Sequence, residues 1–128
     1  MPHTMNVPLA HSLKTTANVH MLPGLVNTIQ HCEAVCEHMV TMLLHQPDLH
    51  ARTMQIQFLR DCADICALTA KYLSRQSSFT RSLNMKCAEI CEACGRECSR
   101  FQDGMSQHCA RVCIHCAAAC REFLRQMG

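Results

Sequence analysis

Twelve cysteines in a chain of 128 residues are spaced three or four positions apart within four separate groups. Side chains at positions i, i+3, i+4 and i+7 lie along one stripe of an α-helix. That stripe normally holds the apolar residues that a helix buries. We therefore expect thiols at the core positions of four successive helices, and a thiol-lined core suggests a metal site. The groups are Cys32 and Cys36; Cys62 and Cys66; Cys87, Cys91, Cys94 and Cys98; and Cys109, Cys113, Cys116 and Cys120.

Helix-breaking residues separate these groups. Pro47, the serine-containing segment 74–78 and the pair Asp103-Gly104 interrupt the helical pattern, because proline cannot continue a helix and Asp-Gly favours a turn. The predicted helices cover residues 25–44, 49–73, 79–102 and 105–126. Short connections between helices of similar length favour an all-α fold, an antiparallel up-down-up-down four-helix bundle with a cysteine-lined core. We expect residues 1–20 to form an N-terminal tail or short capping segment, and residues 21–128 to form the bundle.

The inward stripes are expected to continue beyond the cysteines toward both ends of each helix. Pro23 and Gly24 are expected to precede the first helix, since proline disrupts a helix interior. The expected stripe residues are Leu25, Ile29, Met39 and Leu43 on the first helix, Met54, Phe58, Thr69 and Leu73 on the second, Leu83 and Phe101 on the third, and Met105 and Phe123 on the fourth.

Antiparallel order also collects methionine and histidine at one end of the predicted bundle. Thioether and imidazole groups bind soft and borderline metal ions, so this end is a candidate port through which a metal reaches the thiols. The opposite end is mainly aliphatic and aromatic. For each residue alone, a methionine that fills a core gap or a histidine on the solvated surface is an equally good interpretation. The residues at the candidate port are His38, Met39, Met42, His45, His50, Met54, Met105 and His108.

Net charge, the length of apolar runs and the N-terminal segment limit which binding partners and which cellular compartment we expect. A formal net charge of +2 does not indicate a nucleic-acid partner or an acidic membrane surface. No run of about 18 apolar residues predicts a membrane-spanning helix. The N-terminal segment has neither a basic region nor a sustained apolar region, so it does not resemble a secretory signal. We therefore expect a cytoplasmic protein whose thiols are reduced.

Disulfides, zinc and iron–sulfur clusters are alternative explanations of the cysteines. Cβ atoms at i and i+4 of a helix are about 5–6 Å apart, whereas a disulfide needs about 3.5–4.5 Å, so disulfides within one helix are excluded. Disulfides between helices stay possible, but a cytosolic compartment argues against them. The pairs Cys91/Cys94 and Cys113/Cys116 match a four-cysteine zinc pattern, and Gly95 resembles the glycine of a zinc knuckle. However, each pair belongs to a longer helical series, and zinc would leave other thiols without a role. Iron–sulfur ligands have tighter spacings.

Charge favours a monovalent soft cation. A buried thiolate without a compensating charge is very unfavourable. One Cu(I) neutralises one thiolate, and thiolate and thioether ligands select Cu(I) among biological metals. Tetrahedral Zn(II) instead needs four convergent ligands. We therefore predict multiple Cu(I) ions as the bound species. A zinc-binding protein or a redox- or metal-sensing interaction protein stays open as an alternative, and no set of residues indicates an enzyme.

The cysteine motifs of all four helices resemble those of the copper storage proteins, which are cysteine-lined four-helix bundles that load Cu(I) along their interior. The likeness is carried by HCEAVCEHM, DCADIC, CAEICEACGREC and HCARVCIHCAAAC, in chain order. Each CxxxC alone is a weak signal, but the combination is specific. Without a recognisable secretory signal, the chain is more similar to the cytosolic branch of the family than to the exported one.

The resemblance implies a tetramer, many Cu(I) per subunit, uptake at the His/Met end and exchange with a copper donor or acceptor. It implies that all twelve cysteines bind copper and that His108 and Asp61, each one residue before a cysteine, can assist them. Further candidate auxiliary ligands at the port are Met39, Met42, His45, Met54 and Met105. Because the first two helices carry two cysteines each, we expect a smaller capacity than in relatives with more cysteines.

Overall fold

The computed structural model describes residues 16–127, and the side chains from Leu22 onward. Helix α1 covers Thr16–Leu43, α2 covers Thr53–Ser74, α3 covers Thr80–Ser99 and α4 covers Gly104–Met127. A short 3-10 helix, Leu49–Arg52, precedes α2. These helices confirm the predicted all-α four-helix bundle.

The contacts between sulfur atoms give the directions of adjacent helices. Between α2 and α3, Cys62 contacts Cys91 and Cys66 contacts Cys87, with Sγ–Sγ distances of 3.6 and 3.9 Å. Residue numbers therefore rise along α2 as they fall along α3. The same holds between α3 and α4, where Cys91 contacts Cys116 at 3.7 Å and the next thiol of α3 toward its C-terminus contacts an earlier thiol of α4. On α1, Cys32 interacts with Cys116 and Cys36 with the earlier Cys109 of α4, so α1 and α4 are also antiparallel and the order is up-down-up-down.

Helix α1 begins at Thr16, nine residues before the expected start at Leu25. The expectation that Pro23 precedes the helix is wrong, because Pro23 lies inside it. Proline has no N–H group to donate a backbone hydrogen bond within the helix. However, Leu22 and Leu25 on either side of it are both buried. Their burial on one stripe stabilises the helix across the proline. Residues 1–15 lie outside the described part of the chain, so the predicted tail stays a prediction.

The inward stripe of α2 differs from the expected one. Met54 is 53 % exposed and Phe58 is only partly buried, whereas Gln55 and Leu59 are fully buried. The error has a geometric cause. Each step of four residues rotates a side chain by about 40° beyond a full turn, so two such steps before Cys62 leave the stripe. Steps of three and four alternate on the observed stripe and cancel this drift.

The same correction applies to α3 and α4. Leu83 and Met105, each four residues before a cysteine, were expected to point inward. Instead Asn84 and Ser106, each three residues before a cysteine, are fully buried, while Leu83 is partly buried and Met105 is 40 % exposed. The consequence is a core with polar residues at both ends of its thiols rather than apolar ones alone.

Gly95 sets the close approach of α3 and α4. A Cβ atom at Gly95 would lie 2.8 Å from the side chain of Ile114 and 3.2 Å from the carbonyl oxygen of Ala110. Glycine fits here because the side chain of Ile114 occupies the space of a Cβ atom and the backbone of α4 lies just beyond that contact distance. Gly95 therefore serves helix packing, and the resemblance to a zinc knuckle does not hold.

Candidate metal centre

All twelve cysteines point into the bundle, and each has an exposed fraction of 0 %. They are free thiols contributed by all four helices. The structure therefore brings together the cysteines that the sequence selected as candidate metal ligands. A redox sensor would need an accessible, activated thiol beside basic residues. Lys86 is directly before Cys87 in the sequence, but Cys87 is buried and Lys86 pairs with Glu89 at 3.0 Å.

The thiols form a network rather than separate pairs. Cys113 of α4 contacts Cys36 at 3.6 Å and Cys32 at 3.9 Å, both on α1. It also contacts Cys94 of α3 at 3.8 Å. Across the bundle, Cys32 contacts Cys62 of α2 at 3.8 Å. Every helix is thus joined to its neighbours through sulfur.

Within this network, three groups of four thiols have all their Sγ atoms within 4.8 Å of one another. The groups overlap, because each shares two members with another. Because the groups share sulfurs, they cannot form three separate tetrahedral sites, each with four ligands of its own. A row of cations with low coordination numbers fits them better, because neighbouring cations can share a bridging sulfur. The groups are Cys32, Cys36, Cys62 and Cys113; Cys32, Cys62, Cys66 and Cys91; and Cys66, Cys87, Cys91 and Cys116.

Hydrogen bonding among the thiols moves their pKa values in opposite directions. Interaction with Cys116, together with other thiols and burial, raises the pKa of Cys91. Interaction with Cys109, together with other thiols and burial, raises the pKa of Cys113. Hydrogen bonds from Cys113 and Cys116 lower the pKa of Cys32. A thiolate that accepts S–H hydrogen bonds is stabilised, while its neighbours hold their protons.

The four remaining thiols lie on α3 and α4 and extend the row, and two of them, Cys94 and Cys109, still interact with Cys36 of α1. Near the start of α2, the amide nitrogen of Gln55 donates to Cys98 Sγ at 3.5 Å. At the opposite end of the core, Asn84 lies three residues before Cys87 on α3, and Thr69 lies three residues after Cys66 on α2. Both side chains are fully buried. The thiols that lie outside the three groups are Cys94, Cys98, Cys109 and Cys120.

The structure places some of the residues that the sequence suggested for the port in one cleft and the others elsewhere. A cleft of about 440 Å³ between α1 and α4 brings Met39, Met105 and His108 together. Met39 also lines a second cavity of about 180 Å³ with Met42. The cleft is lined by His31, Ala34, Val35, His38, Met39, Gly104, Met105 and His108.

Three other candidates lie elsewhere. His45 is exposed in the turn after α1, and its Nδ1 atom lies 2.9 Å from the carbonyl oxygen of Thr41 in the last turn of that helix. Met54 and Asp61 are exposed on α2. His31 of the cleft was missed by the sequence argument, although its position directly before Cys32 is the same signal that selected His108 before Cys109.

Sequence analysis also missed a polar network at the port end of the core. It is built on Arg52, which is 8 % exposed, and on Gln55 and Ser106, which are fully buried. A strict alternation of three and four residues back from Cys62 and Cys109 would have placed Gln55 and Ser106 inside. A further step of three from Gln55 reaches Arg52, but a charged residue at this position predicts exposure rather than burial.

Residues 19–125 match the sequence profile of the family described as copper storage protein. The chain belongs to the copper storage protein family. The match includes the four helical segments that carry the twelve cysteines, and the overlapping thiol groups lie within it.

Three relatives of this copper storage family member are informative. The uncharacterized cysteine-rich protein YhjQ of Bacillus subtilis is 41 % identical over 69 residues, 54 % of this chain and 64 % of that protein. The match thus spans less than two thirds of that relative. The Cu(I)-bound copper storage protein BsCsp3 is 35 % identical with a TM-score of 0.77, over 80 % of this chain and 96 % of that one. A cytosolic copper storage protein from Streptomyces lividans, with five coppers, is 30 % identical with a TM-score of 0.85, over 89 % and 100 %.

No helix in the part of the chain that the structure describes is long and apolar enough to span a membrane.

Proposed function

We propose that this protein stores Cu(I) by binding multiple ions to the thiolates of its twelve cysteines, without catalysis. The observation that carries the proposal is the set of overlapping four-thiol groups drawn from all four helices in a fully buried core. A buried thiolate needs a compensating positive charge. One monovalent cation per thiolate gives a neutral core, so the capacity approaches the number of thiols.

Loading exchanges protons for copper. Each thiol that becomes a ligand releases its proton, so uptake weakens as the pH falls. Because the neutral thiols are already packed at distances of 3.6 to 4.0 Å, the copper-free helices hold the ligands near one another before metal arrives. Binding therefore requires small movements of sulfur rather than assembly of the bundle.

The proposal assigns uptake to soft and borderline ligands near the port end. Met39, Met105 and His108 share the cleft beside the core, which supports a role in receiving copper. Met42 is next to them in the smaller cavity. His45, Met54 and Asp61 lie on the surface, where they would serve only in the first encounter with a copper donor.

The cellular setting follows from the relatives and belongs to the proposal. The protein would act in the cytoplasm, as one of its relatives is described to be cytosolic. It would exchange Cu(I) with a copper donor and acceptor, and it would assemble as a homotetramer, as the family resemblance implies.

The direct test is an anaerobic titration of the reduced copper-free protein with Cu(I) against a competing chelator, repeated with Zn(II). We expect tight uptake of many Cu(I) per chain, approaching the twelve thiols, and weaker, less extensive Zn(II) binding. Saturation after one or two Cu(I), or a preference for Zn(II), would overturn the proposal.

A further inference from the structure

The port end of the bundle axis is occupied by the side chain of Arg52. Its Nε atom donates to Asp48 Oδ2 at 2.8 Å, and its Nη2 atom contacts Asp103 Oδ1 at 3.0 Å. These two carboxylates belong to the α1–α2 and α3–α4 connections, so Arg52 ties the two connections together across the bundle end. Its guanidinium also lies 4.2 Å from the ring centroid of Phe101. The position of this cation is therefore fixed from three sides.

Beneath Arg52, a second layer of polar groups closes the space above the thiols. Arg52 Nη1 donates to Gln55 Oε1 at 3.0 Å and to Ser106 Oγ at 3.2 Å. Gln55 Nε2 donates to Ser106 Oγ at 3.0 Å and to Cys98 Sγ at 3.5 Å. We call Arg52, Gln55 and Ser106 the axial plug. Hydrogen bonds connect the axial plug to the carboxylates of Asp48 and Asp103 on its outer side and to the Cys98 thiol on its inner side.

The chemistry of the axial plug does not suit a soft cation. Arg52 and the amide nitrogen of Gln55 offer only N–H donors, which cannot coordinate a metal. The remaining acceptors are hard oxygens, and they are engaged by these donors. Cu(I) prefers sulfur and imidazole nitrogen. Passage along the axis would thus break several buried hydrogen bonds, and the axial plug itself offers no replacement ligand.

The cleft between α1 and α4 has the opposite chemistry. Its walls carry the thioethers of Met39 and Met105 and the imidazoles of His38 and His108. Three of these side chains are exposed, whereas Met39 is 2 % exposed and forms the inner wall. Soft and borderline ligands are therefore arranged from solvent toward the interior.

The inner wall of the cleft leads directly to thiols. Met39 lies three residues after Cys36 on the buried stripe of α1, and Met105 lies four residues before Cys109 on α4, so each pair is about one helical turn apart. Cys109 and Cys36 both interact with Cys113, at 4.0 and 3.6 Å. An ion held at Met39 would thus be next to the end of the thiol network.

We propose that the axial plug closes the port end of the bundle and that Cu(I) reaches the thiols sideways, through the cleft between α1 and α4. The proposal rests on the proposed function and specifies its route. At each transfer a bond from copper to a thioether or imidazole is exchanged for a bond to a thiolate, and the thiol proton leaves to solvent.

The test measures the rate and the extent of Cu(I) uptake by the reduced full-length protein, with a chromophoric Cu(I) chelate as donor. Ala34→Trp and Gly104→Phe fill the cleft from its two walls. Both sites have room, because Ala34 is exposed and a Cβ atom at Gly104 meets nothing within 4 Å. Ala93→Trp, at an exposed position on α3, is the matched control.

We expect both cleft-filling variants to load more slowly by about tenfold or more, which corresponds to a barrier higher by about 1.4 kcal/mol. Their final capacity should equal that of the unmodified protein, and Ala93→Trp should load at the unmodified rate. Cleft-filling variants that load at the unmodified rate, while capacity is intact, overturn the lateral route alone. A protein that takes up no Cu(I) at all overturns the proposed function instead.

A second set of variants tests the axial plug. Arg52→Met replaces the cation by a thioether, and in the Ala34→Trp background it should restore a substantial part of the uptake rate. Asp103→Asn, which removes one outer partner of Arg52, should act in the same direction and serves if Arg52→Met does not fold. No gain in rate from a folded variant of either kind contradicts the role of the axial plug.

Discussion

The sulfur atoms of Cys36 and Cys113 lie 3.6 Å apart, although 77 positions separate the two residues in the sequence. Cys113 also contacts Cys32, Cys94 and Cys109, so it joins thiols of three helices. A thiolate at this junction can bridge more than one cation. Its replacement should therefore affect several bound ions, whereas replacement of a peripheral thiol should affect fewer.

We accordingly expect Cys120→Ser to lower the Cu(I) capacity by about one ion, on the basis of one monovalent ion per thiolate. Cys113→Ser should lower it by about two ions, because a sulfur that bridges two cations is lost as a ligand to both. Cys120 is the matched control, because it is equally buried but lies outside the four-thiol groups. Titration against a competing chelator measures both capacities. Equal losses in the two variants would show that Cys113 is not a junction for copper.

Gly95 predicts a packing effect that is independent of copper. A side chain at this position collides with Ile114 and approaches the carbonyl oxygen of Ala110. Overpacking of this kind destabilises a protein by about 1–3 kcal/mol, and we expect Gly95→Leu of the copper-free protein to lose that much.

The control is Gly24→Leu in α1, where a Cβ atom meets nothing within 4 Å. Because leucine favours a helix more than glycine, this variant should keep or gain stability by up to about 1 kcal/mol. Urea denaturation followed by circular dichroism compares the two. A Gly95→Leu protein as stable as the control would contradict the close approach of α3 and α4.

Asn84 contains a buried oxygen for which the described part of the chain provides no hydrogen-bond donor. Its amide nitrogen donates to the carbonyl oxygen of Thr80 at 3.3 Å, but the Oδ1 atom is unpaired. An unpaired buried acceptor is unfavourable by about 1–3 kcal/mol. Asn84→Leu, which has similar volume, should therefore leave the copper-free protein equally stable or more stable by about 1 kcal/mol.

Thermal unfolding of the reduced protein checks this expectation. A marked loss of stability in Asn84→Leu would mean that the amide has a structural partner. Asn84→Asp is a useful comparison, because a buried carboxylate without a partner should destabilise the bundle strongly.

The raised thiol pKa values predict that the copper-free protein loses stability at alkaline pH. Interactions with Cys116 and Cys109, respectively, and burial raise the pKa of Cys91 and Cys113 above the ordinary value of 9.0. Above that value the unfolded chain loses protons that the folded core retains. The stabilising contribution of these neutral thiols is complete below pH 9.0 and is lost as the pH rises further.

Denaturation of the reduced protein at pH 9.0 and at successively higher pH measures the difference, because thiols with lowered pKa values contribute equally throughout that range. We expect the free energy of unfolding to fall with increasing pH. Loading with Cu(I) should abolish the fall, because bound thiolates no longer carry a proton. A copper-free protein that becomes more stable above this pH would contradict the picture of a protonated core.

The cysteine spacing alone was sufficient to predict four helices, the burial of their cysteines and the grouping of all twelve thiols. Spacing encodes these features directly, since steps of three and four define one helical stripe. The neighbours of the cysteines were less predictable. Met54 and Gln55 are adjacent in sequence, and only a strict alternation of steps distinguishes the exposed residue from the buried one.

Other features depend on contacts between distant residues. Arg52 lies three residues before Gln55 on the same stripe, but charged residues are seldom buried without a partner. Its partners include Asp103 and Ser106, which are distant in the sequence. The start of α1 was missed for a similar reason. Pro23 argues locally against a helix, and the packing of Leu22 and Leu25 in the core overrides it.

The most direct test of copper storage is the anomalous scattering of copper in crystals of the loaded protein. We predict several copper peaks in a row along the bundle axis, each beside two or more sulfur atoms of the twelve cysteines and with the helices essentially unmoved. Copper found only at surface histidines and methionines, with the thiol core empty, would contradict storage in the core.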